Sequence, residues 1–114
     1  MKNHRKMGDR AEKIACGYLK LQGYEILERN FYTRTGEIDI IAKDGDVLVF
    51  AEVKYRKNEN RGFPGEAVDK RKQQRIQKTA VWYMKTKHLS FDQPIRFDVV
   101  EILGKKIRVI KHAF

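Results

Sequence analysis

The sequence lacks several features that would place it in common classes of protein. It has one cysteine, Cys16, so no intramolecular disulfide can form, and we expect a reducing, cytoplasmic environment. Its longest uninterrupted apolar run, residues 47–51, is far too short to cross a bilayer. No apolar segment follows the basic N-terminus, so we expect neither a secretory signal nor a membrane partner. The three histidines are scattered and match no zinc-binding spacing.

Acidic residues are also in the minority. The chain has 25 Lys and Arg against 15 Asp and Glu, a net charge of +10, and a pI near 9.8. Its 114 residues and apolar fraction of 41% suit a single domain, residues 1–114, with a modest core. The positive excess favours phosphate-bearing partners, because each phosphate that Lys or Arg neutralises releases condensed counterions. Solubility alone would also account for the charge.

Hydrophobic periodicity predicts the order helix, three strands, helix, two strands. Asp9 and Glu12 have the spacing of a capping box, so we expect the first helix to begin at Asp9, after a flexible basic tail of residues 1–7, and to end at Gly23. The predicted strands cover residues 24–33, 36–42, 47–55, 95–102 and 106–114, and the second helix covers residues 66–87 after a polar loop, residues 57–65. This order predicts an α/β fold with a central mixed sheet of about five strands flanked by helices, although other small α/β or α+β topologies share it.

The two central predicted strands carry carboxylates on one face. Strand side chains alternate between faces, and a hairpin turn through Asp44 and Gly45 sets Lys43 opposite Asp46. One face is then apolar, with Ile38, Ile40, Ala42, Val47, Val49, Ala51 and Val53. The other face carries Glu37, Asp39, Ile41, Leu48, Phe50, Glu52 and Lys54. In this register Asp39 and Glu52 are diagonal neighbours with backbones roughly 7–8 Å apart, so both carboxylates can reach one ion.

Two interpretations of these acids remain open from the pattern alone. Clustered carboxylates on a half-buried face are unfavourable unless positive groups join them, and Lys54 together with a hard divalent ion such as Mg²⁺ would supply that charge. Alternatively, Glu52 and Lys54 form an ordinary surface ion pair worth at most about 1 kcal/mol. We assign Asp44 and Asp46 to the turn and to no site.

The second predicted helix is the basic part of the chain. Residues 69–94 contain seven basic and two acidic residues, whereas residues 31–68 contain six basic and seven acidic residues. The residues expected to contact phosphate are Lys70, Arg71, Lys72, Arg75 and Lys78, and a solvated helix face is the alternative. Trp82 has the chemistry to stack on a base, but its position among apolar helix residues favours the core.

Four stretches of the chain resemble a known pattern. They are GDRAEKIACGYL, RNFYTRTGEIDIIAKDGDVLVFAEVKYR, EAVDKRKQQRIQKTA and RFDVV, and they cover most of the chain in the right order. Asp39, a hairpin and then Glu52-Val53-Lys54 resemble the D…(D/E)-x-K signature of the PD-(D/E)xK nuclease superfamily. The residue before Asp39 is Ile38, at a position where the superfamily often has, and often loses, a proline. Together the stretches are similar to the YraN-like bacterial family of predicted endonucleases.

The resemblance implies a restriction-endonuclease-like core and a metal-dependent endonuclease that hydrolyses phosphodiester bonds in DNA, including branched or recombination intermediates. By this resemblance, Asp39 and Glu52 hold Mg²⁺ or Mn²⁺ with the backbone carbonyl of Val53. Lys54 would orient the attacking water or stabilise charge on the phosphorus in the transition state.

Other residues acquire candidate roles from the same resemblance. Glu12 matches a glutamate on the first helix of archaeal Holliday-junction resolvases. Gln73, on the stripe of the second helix, can approach the site by its position, and a residue at the polar edge of the core is the alternative. Arg56 joins the basic residues that are expected to contact phosphate. A junction-cutting enzyme would gain from being a two-fold homodimer, which no sequence pattern specifies. Two other functions fit the same residues: a nucleic-acid-binding module without cleavage, and a basic structural protein whose acids have no chemical role.

Overall fold

The structure is a computed structural model that describes residues 2–56 and 68–114, with side chains from residue 8 onward. Its elements are helix α1 (Lys2–Leu21), strands β1 (Glu25–Thr33), β2 (Gly36–Asp44) and β3 (Val47–Arg56), helix α2 (Lys70–Thr86), and strands β4 (Ile95–Leu103) and β5 (Lys106–Ile110). The predicted order of helices and strands is confirmed. The predicted polar loop, residues 57–65, and the first two residues of the predicted second helix lie outside the described residues.

The five strands form one mixed sheet in the order β1-β2-β3-β4-β5. Strands β3 and β4 are parallel, and the other three neighbouring pairs are antiparallel. Parallel neighbours need a crossover connection, and α2 lies in the chain between β3 and β4. The predicted α/β fold, with a mixed sheet of five strands, is therefore confirmed.

The two helices pack on opposite faces of this sheet. Ile40 of β2 belongs to a buried cluster with Ala15 and Leu19 of α1. The next residue, Ile41, belongs to a second cluster with Ile76 and Tyr83 of α2. Consecutive strand residues point to opposite faces, so the sheet is covered on both sides. Among the described residues, neither helix is long and apolar enough to span a bilayer.

The start of α1 differs from the prediction, whereas its end agrees. The helix begins at Lys2, so residues 2–7 are helical and Asp9 lies inside the helix, where it is not an N-cap. The three-residue spacing of Asp9 and Glu12 instead places both on the helix face that meets Arg29 of β1, whose Nη2 lies 3.2 and 3.3 Å from their carboxylates. Gly23, with φ of +94°, ends the helix as predicted, because its N–H and that of the next residue donate to the last-turn carbonyls.

The prediction that Trp82 belongs to the core is wrong. Its side chain is 54% exposed, although Ile76, Ala80 and Tyr83 form the buried stripe of α2 as predicted. Trp82 lies in an apolar stretch of the sequence, but the helix directs its side chain to one side of the buried stripe.

The β2–β3 hairpin has a different register from the predicted one. Asp44 pairs with Val47, so the two-residue loop is Gly45 and Asp46, and the pairing is shifted by two residues from the prediction. A shift of two preserves which side chains share a face. Continuing this register by one step sets Asp39 directly opposite Glu52, where the sequence predicted a diagonal relation.

Strict alternation fails at Ile38. This side chain packs in the cluster on the α2 side, although the predicted alternation placed it with Ile40 on the α1 side. The irregularity lies where β2 runs beside Asn30 of β1, whose φ of +55° is left-handed. Pairing of β2 with β3 also ends at Ile40 and Ala51, so the first residues of β2 pair with β1 alone.

A buried polar network fixes β4 beneath α1 and the hairpin. Arg96 Nε and Nη2 donate to the two carboxylate oxygens of Asp98 at 2.8 and 2.9 Å, and Nη2 also donates to Tyr24 Oη and Asp44 Oδ2 at 2.8 and 2.9 Å. Tyr24 Oη donates in turn to Asp98, which is fully buried. Asp44, assigned to the turn from sequence alone, is therefore a partner of this buried guanidinium, and that contact holds the pKa of Asp44 below its usual range.

We predict that Arg96→Leu lowers the free energy of unfolding by about 3–5 kcal/mol, because the substitution leaves the buried carboxylate of Asp98 without its counter-charge. Urea denaturation followed by circular dichroism measures this change. The matched control is Lys111→Leu, which removes an exposed amine 3.5 Å from Asp44 and is expected to cost less than about 1 kcal/mol. Equal losses in the two variants would contradict a structural role for the buried pair.

Candidate metal and nucleic-acid site

Three carboxylates from two elements converge at one end of the sheet. One oxygen each from Glu12 of α1 and from Glu37 and Asp39 of β2 lie within 4.8 Å of one another. Asp39 and Glu12 were predicted for the site, and Glu37 was not. The available signal for Glu37 was its position two residues before Asp39 on the same predicted strand face.

Asp39 occupies the point where β2 and β3 separate. Strand pairing ends at Ile40 and Ala51, and the Val53 N–H donates to Asp39 Oδ2 at 2.9 Å. The carboxylate thus takes the place of a missing backbone partner on the neighbouring strand. This contact directs Asp39 into the gap between the strands, where groups from both faces of the sheet can reach it.

Glu52 lies buried beside this gap. It is 2% exposed, its Oε1 lies 3.1 Å from Lys72 Nζ of α2, and its Oε2 is buried without a hydrogen-bond partner among the described residues. A buried carboxylate oxygen without a partner costs free energy, so a bound cation or donor at this position would be favourable. Lys72 was predicted to contact phosphate, and its pairing with Glu52 was not predicted.

Burial and neighbouring charges raise the pKa values of two acids at the site. Burial raises the pKa of Asp39 to about 7, and the negative charge of Glu52 adds to this effect, while the Val53 N–H opposes it. Burial, followed by the charge of Asp39, raises the pKa of Glu12 against the hydrogen bonds from Arg29. These shifts have the sign expected for carboxylates that are close together and lack a sufficient counter-charge.

The pKa values of two lysines beside the acids shift in opposite directions. Burial and the neighbouring Lys72 lower the pKa of Lys54. Burial also acts to lower the pKa of Lys72, but its hydrogen bond with Lys54 and the charge of Glu52 outweigh burial, so the pKa of Lys72 is raised. Lys72 is therefore the stronger base of the pair and holds its proton more firmly.

The carboxylates open into a cavity of about 560 Å³, which we call the acidic cavity. Its charged lining residues are Glu37, Asp39, Glu52, Asp69, Arg71, Lys72 and Arg75. Gly36, with φ of +151°, begins β2 at this wall, and a Cβ there would lie 3.5 Å from Arg75 Cβ. A side chain would have room at this position, so it is the positive φ that favours glycine here.

The remaining predicted site residues lie around this cavity without lining it. Gln73 donates its amide to the Val68 carbonyl at 3.0 Å, Lys70 is exposed at the start of α2, and Arg56 is exposed at the end of β3. Lys78 lies beside a second, smaller cavity further along α2.

We predict that Asp39→Asn stabilises the metal-free protein at neutral and alkaline pH. The folded chain binds more protons than the unfolded chain between pH 3.8 and about 7, because burial raises the pKa of Asp39. Wild-type stability therefore falls as the pH rises through this window, and the loss persists above it. The difference in Tm between variant and wild type should grow by at least about 4 °C from pH 4 to pH 8, since about 1 kcal/mol corresponds to this shift in a domain of this size.

Thermal melts in chelator and in millimolar Mg²⁺ measure both parts of this prediction. Mg²⁺ should raise the Tm of the wild type by mass action and leave that of Asp39→Asn unchanged. Asp46→Asn, an exposed turn residue, should melt in parallel with the wild type throughout. A Tm difference between Asp39→Asn and wild type that does not change with pH would contradict the proposed protonation of Asp39.

Comparison with known proteins identifies the family of this chain. A family model described as "Uncharacterised protein family UPF0102" matches residues 11–102. A UPF0102 protein of Lachnoclostridium phytofermentans is 52% identical over 103 residues, which cover 90% of this chain and 87% of the relative. One from Thermodesulfovibrio yellowstonii is 47% identical, with 95% of each chain covered, and one from Syntrophus aciditrophicus is 45% identical, with 100% of this chain and 92% of the relative covered.

The matched region contains Glu12, Glu37, Asp39 and Glu52, together with the whole of α2. The resemblance to the YraN-like family that the sequence motifs indicated is therefore confirmed at the level of the family. The chain belongs to the UPF0102 family.

Proposed function

We propose that this protein is a metal-dependent endonuclease that hydrolyses phosphodiester bonds in DNA. The observation that carries the proposal is the convergence of three carboxylate oxygens within 4.8 Å at the gap where β2 and β3 separate. Carboxylate oxygens are the protein ligands that Mg²⁺ takes, usually one or two of them together with several waters. The net charge of +10 and the basic residues of α2 favour a polyanionic substrate.

The residues present fit a hard divalent ion. Asp39 and Glu52, with the backbone carbonyl of Val53, are the proposed ligands, and Glu12 of α1 and Glu37 of β2 offer further carboxylates beside Asp39. The unpartnered Oε2 of Glu52 and the raised pKa of Asp39 both mark a deficit of positive charge. When bound, Mg²⁺ or Mn²⁺ would supply Lewis-acid activation of the phosphate and of water.

The two lysines have complementary roles in this proposal. Lys54 is the amine that orients the attacking water. Lys72 keeps its proton and stabilises negative charge that develops on the phosphoryl oxygens in the transition state. Arg71 and Arg75, on the wall of the acidic cavity, hold the neighbouring phosphate.

A specific contact favours a second candidate function. Lys72 Nζ lies 3.1 Å from Glu52 Oε1 and partly neutralises this carboxylate without any metal. A protein that keeps the fold and binds nucleic acid without cutting it would need this type of internal counter-charge. Metal-dependent cleavage distinguishes the two functions, since only the endonuclease requires the ion for its reaction.

We predict metal-dependent cleavage that requires the carboxylates of Asp39 and Glu52. The wild type is incubated with linear, flapped and four-way DNA in Mg²⁺, Mn²⁺ or chelator. Asp39→Asn/Glu52→Gln should lose about 100-fold or more of the cleavage rate, because it removes the proposed metal ligands. Lys54→Met should lose activity while it retains the Mg²⁺-dependent rise in Tm.

The matched control is Asp46→Asn, which changes a carboxylate in the hairpin loop and should cut at the wild-type rate. Equal cleavage by Asp39→Asn/Glu52→Gln and wild type would assign the activity to a contaminant or to another site. Salt-dependent binding to DNA without cleavage under any metal condition would favour the binding module. Preference for four-way DNA, with a two-fold dimer in solution, would support a role on branched intermediates.

A further inference from the structure

The single tryptophan of this chain lies on the surface of α2. Trp82 is 54% exposed and the preceding Val81 is 48% exposed, whereas Ala80 and Tyr83 on either side of this pair are buried. A large aromatic side chain gains from being buried, and Trp82 is not part of either core cluster. Packing within the two clusters therefore does not account for the position of the indole.

A shallow cavity of about 260 Å³ adjoins this indole, and we call it the tryptophan cavity. Its lining residues are Thr35, Lys78, Val81, Trp82 and Lys85. The two lysines lie four residues before and three residues after Trp82, so one cation stands one helical turn to each side of the ring. None of the five lining residues is acidic.

The tryptophan cavity continues the surface of the acidic cavity. Arg71, Arg75, Lys78, Trp82 and Lys85 follow one another at spacings of four, three, four and three residues, which places them on one face of α2. Thr35 lines the tryptophan cavity, and the adjoining Gly36 lines the acidic cavity. Along the helix axis, Trp82 lies about 10 Å from Arg75 and about 15 Å from Lys72, at ~1.5 Å per residue.

We infer that Trp82 is a stacking subsite for an unpaired base of a nucleic-acid strand. Lys78 and Lys85 bind the phosphates on either side of that base, and the strand continues along α2 past Arg75 into the acidic cavity. The direction of the strand toward the acidic cavity rests on the proposed nuclease function, whereas the stacking itself does not.

The chemistry of the surface favours a single strand over a duplex or a protein. An indole ring stacks on the face of a base. The face of the base is accessible only where the base is unpaired and unstacked. A duplex presents phosphates and base edges, which the lysines can bind but the indole cannot use. A protein partner would place an apolar or acidic side chain here, whereas the indole between two cations matches the alternation of bases and phosphates in one strand.

Intrinsic fluorescence reports directly on this subsite, because Trp82 is the only tryptophan. The full-length wild type is titrated in chelator, where no metal-dependent cleavage occurs, with a single-stranded oligonucleotide, a duplex with a single-stranded overhang, and a blunt duplex of equal length. We expect the first two to quench the emission and the blunt duplex to leave it nearly unchanged.

Variants separate stacking from charge in binding assays with a labelled oligonucleotide. Trp82→Ala should weaken single-strand binding by roughly 5- to 150-fold and change blunt-duplex binding by less than about 2-fold. Trp82→Phe, which keeps an aromatic face, should recover most of the affinity. The matched control is Phe91→Ala, which removes another exposed aromatic side chain that lines neither cavity and should bind as the wild type does.

The two proposals fail in different ways. Unchanged emission at saturating single strand, or equal binding by Trp82→Ala and wild type, would overturn the stacking subsite even if metal-dependent cleavage occurs. Equal quenching by single strand and blunt duplex would also overturn it, because backbone contact alone would then explain the signal. Quenching by single strand without cleavage under any metal condition would support the subsite and count against the nuclease. Emission that responds to no nucleic acid would likewise overturn it.

Discussion

The end of pairing between β2 and β3 is the constraint on which the candidate site depends. Beyond Ile40 and Ala51 the strands separate, and the Val53 N–H donates to the carboxylate of Asp39 at 2.9 Å in place of a backbone carbonyl. This contact fixes Asp39 in an opening of the sheet. Glu12 then reaches Asp39 from the α1 side, and Lys72 reaches Glu52 from the α2 side. A continuous sheet would keep these groups on separate faces.

The electrostatics of the opening follow from this geometry. Burial and the neighbouring carboxylate raise the pKa of Asp39, while the pKa of Lys54 is lowered beside Lys72. The carboxylates of Asp39 and Glu52 thus repel one another, and one bound cation would reduce this repulsion. The other face of the sheet differs, because Arg96 satisfies Asp98 and Asp44 within hydrogen-bond distance and leaves that network fully paired. The Arg96 network thus has its charges matched within the fold, whereas Oε2 of Glu52 has no partner among the described residues.

Helix α2 connects this site to the protein surface. Its buried stripe of Ile76, Ala80 and Tyr83 packs on the sheet, and its first turns bring Lys72 to the acids. Its exposed face carries cations and the indole of Trp82. Because one helix carries both Lys72 and the exposed surface, a nucleic-acid strand bound along α2 would be held at a fixed distance from the acidic cavity.

Local patterns in the sequence determined the order of the elements, the end of α1 at Gly23 and the shared face of Asp39 and Glu52, because glycine termination and strand alternation act over a few residues. The predicted start of α1 was wrong, because two residues with the spacing of a capping box, here Asp9 and Glu12, also lie on one face of a continuous helix. Only the tertiary structure decided that Glu37 and Lys72 join the cluster and that Trp82 is exposed. These outcomes depend on how far each helix is rotated and shifted over the sheet, which short-range periodicity does not specify.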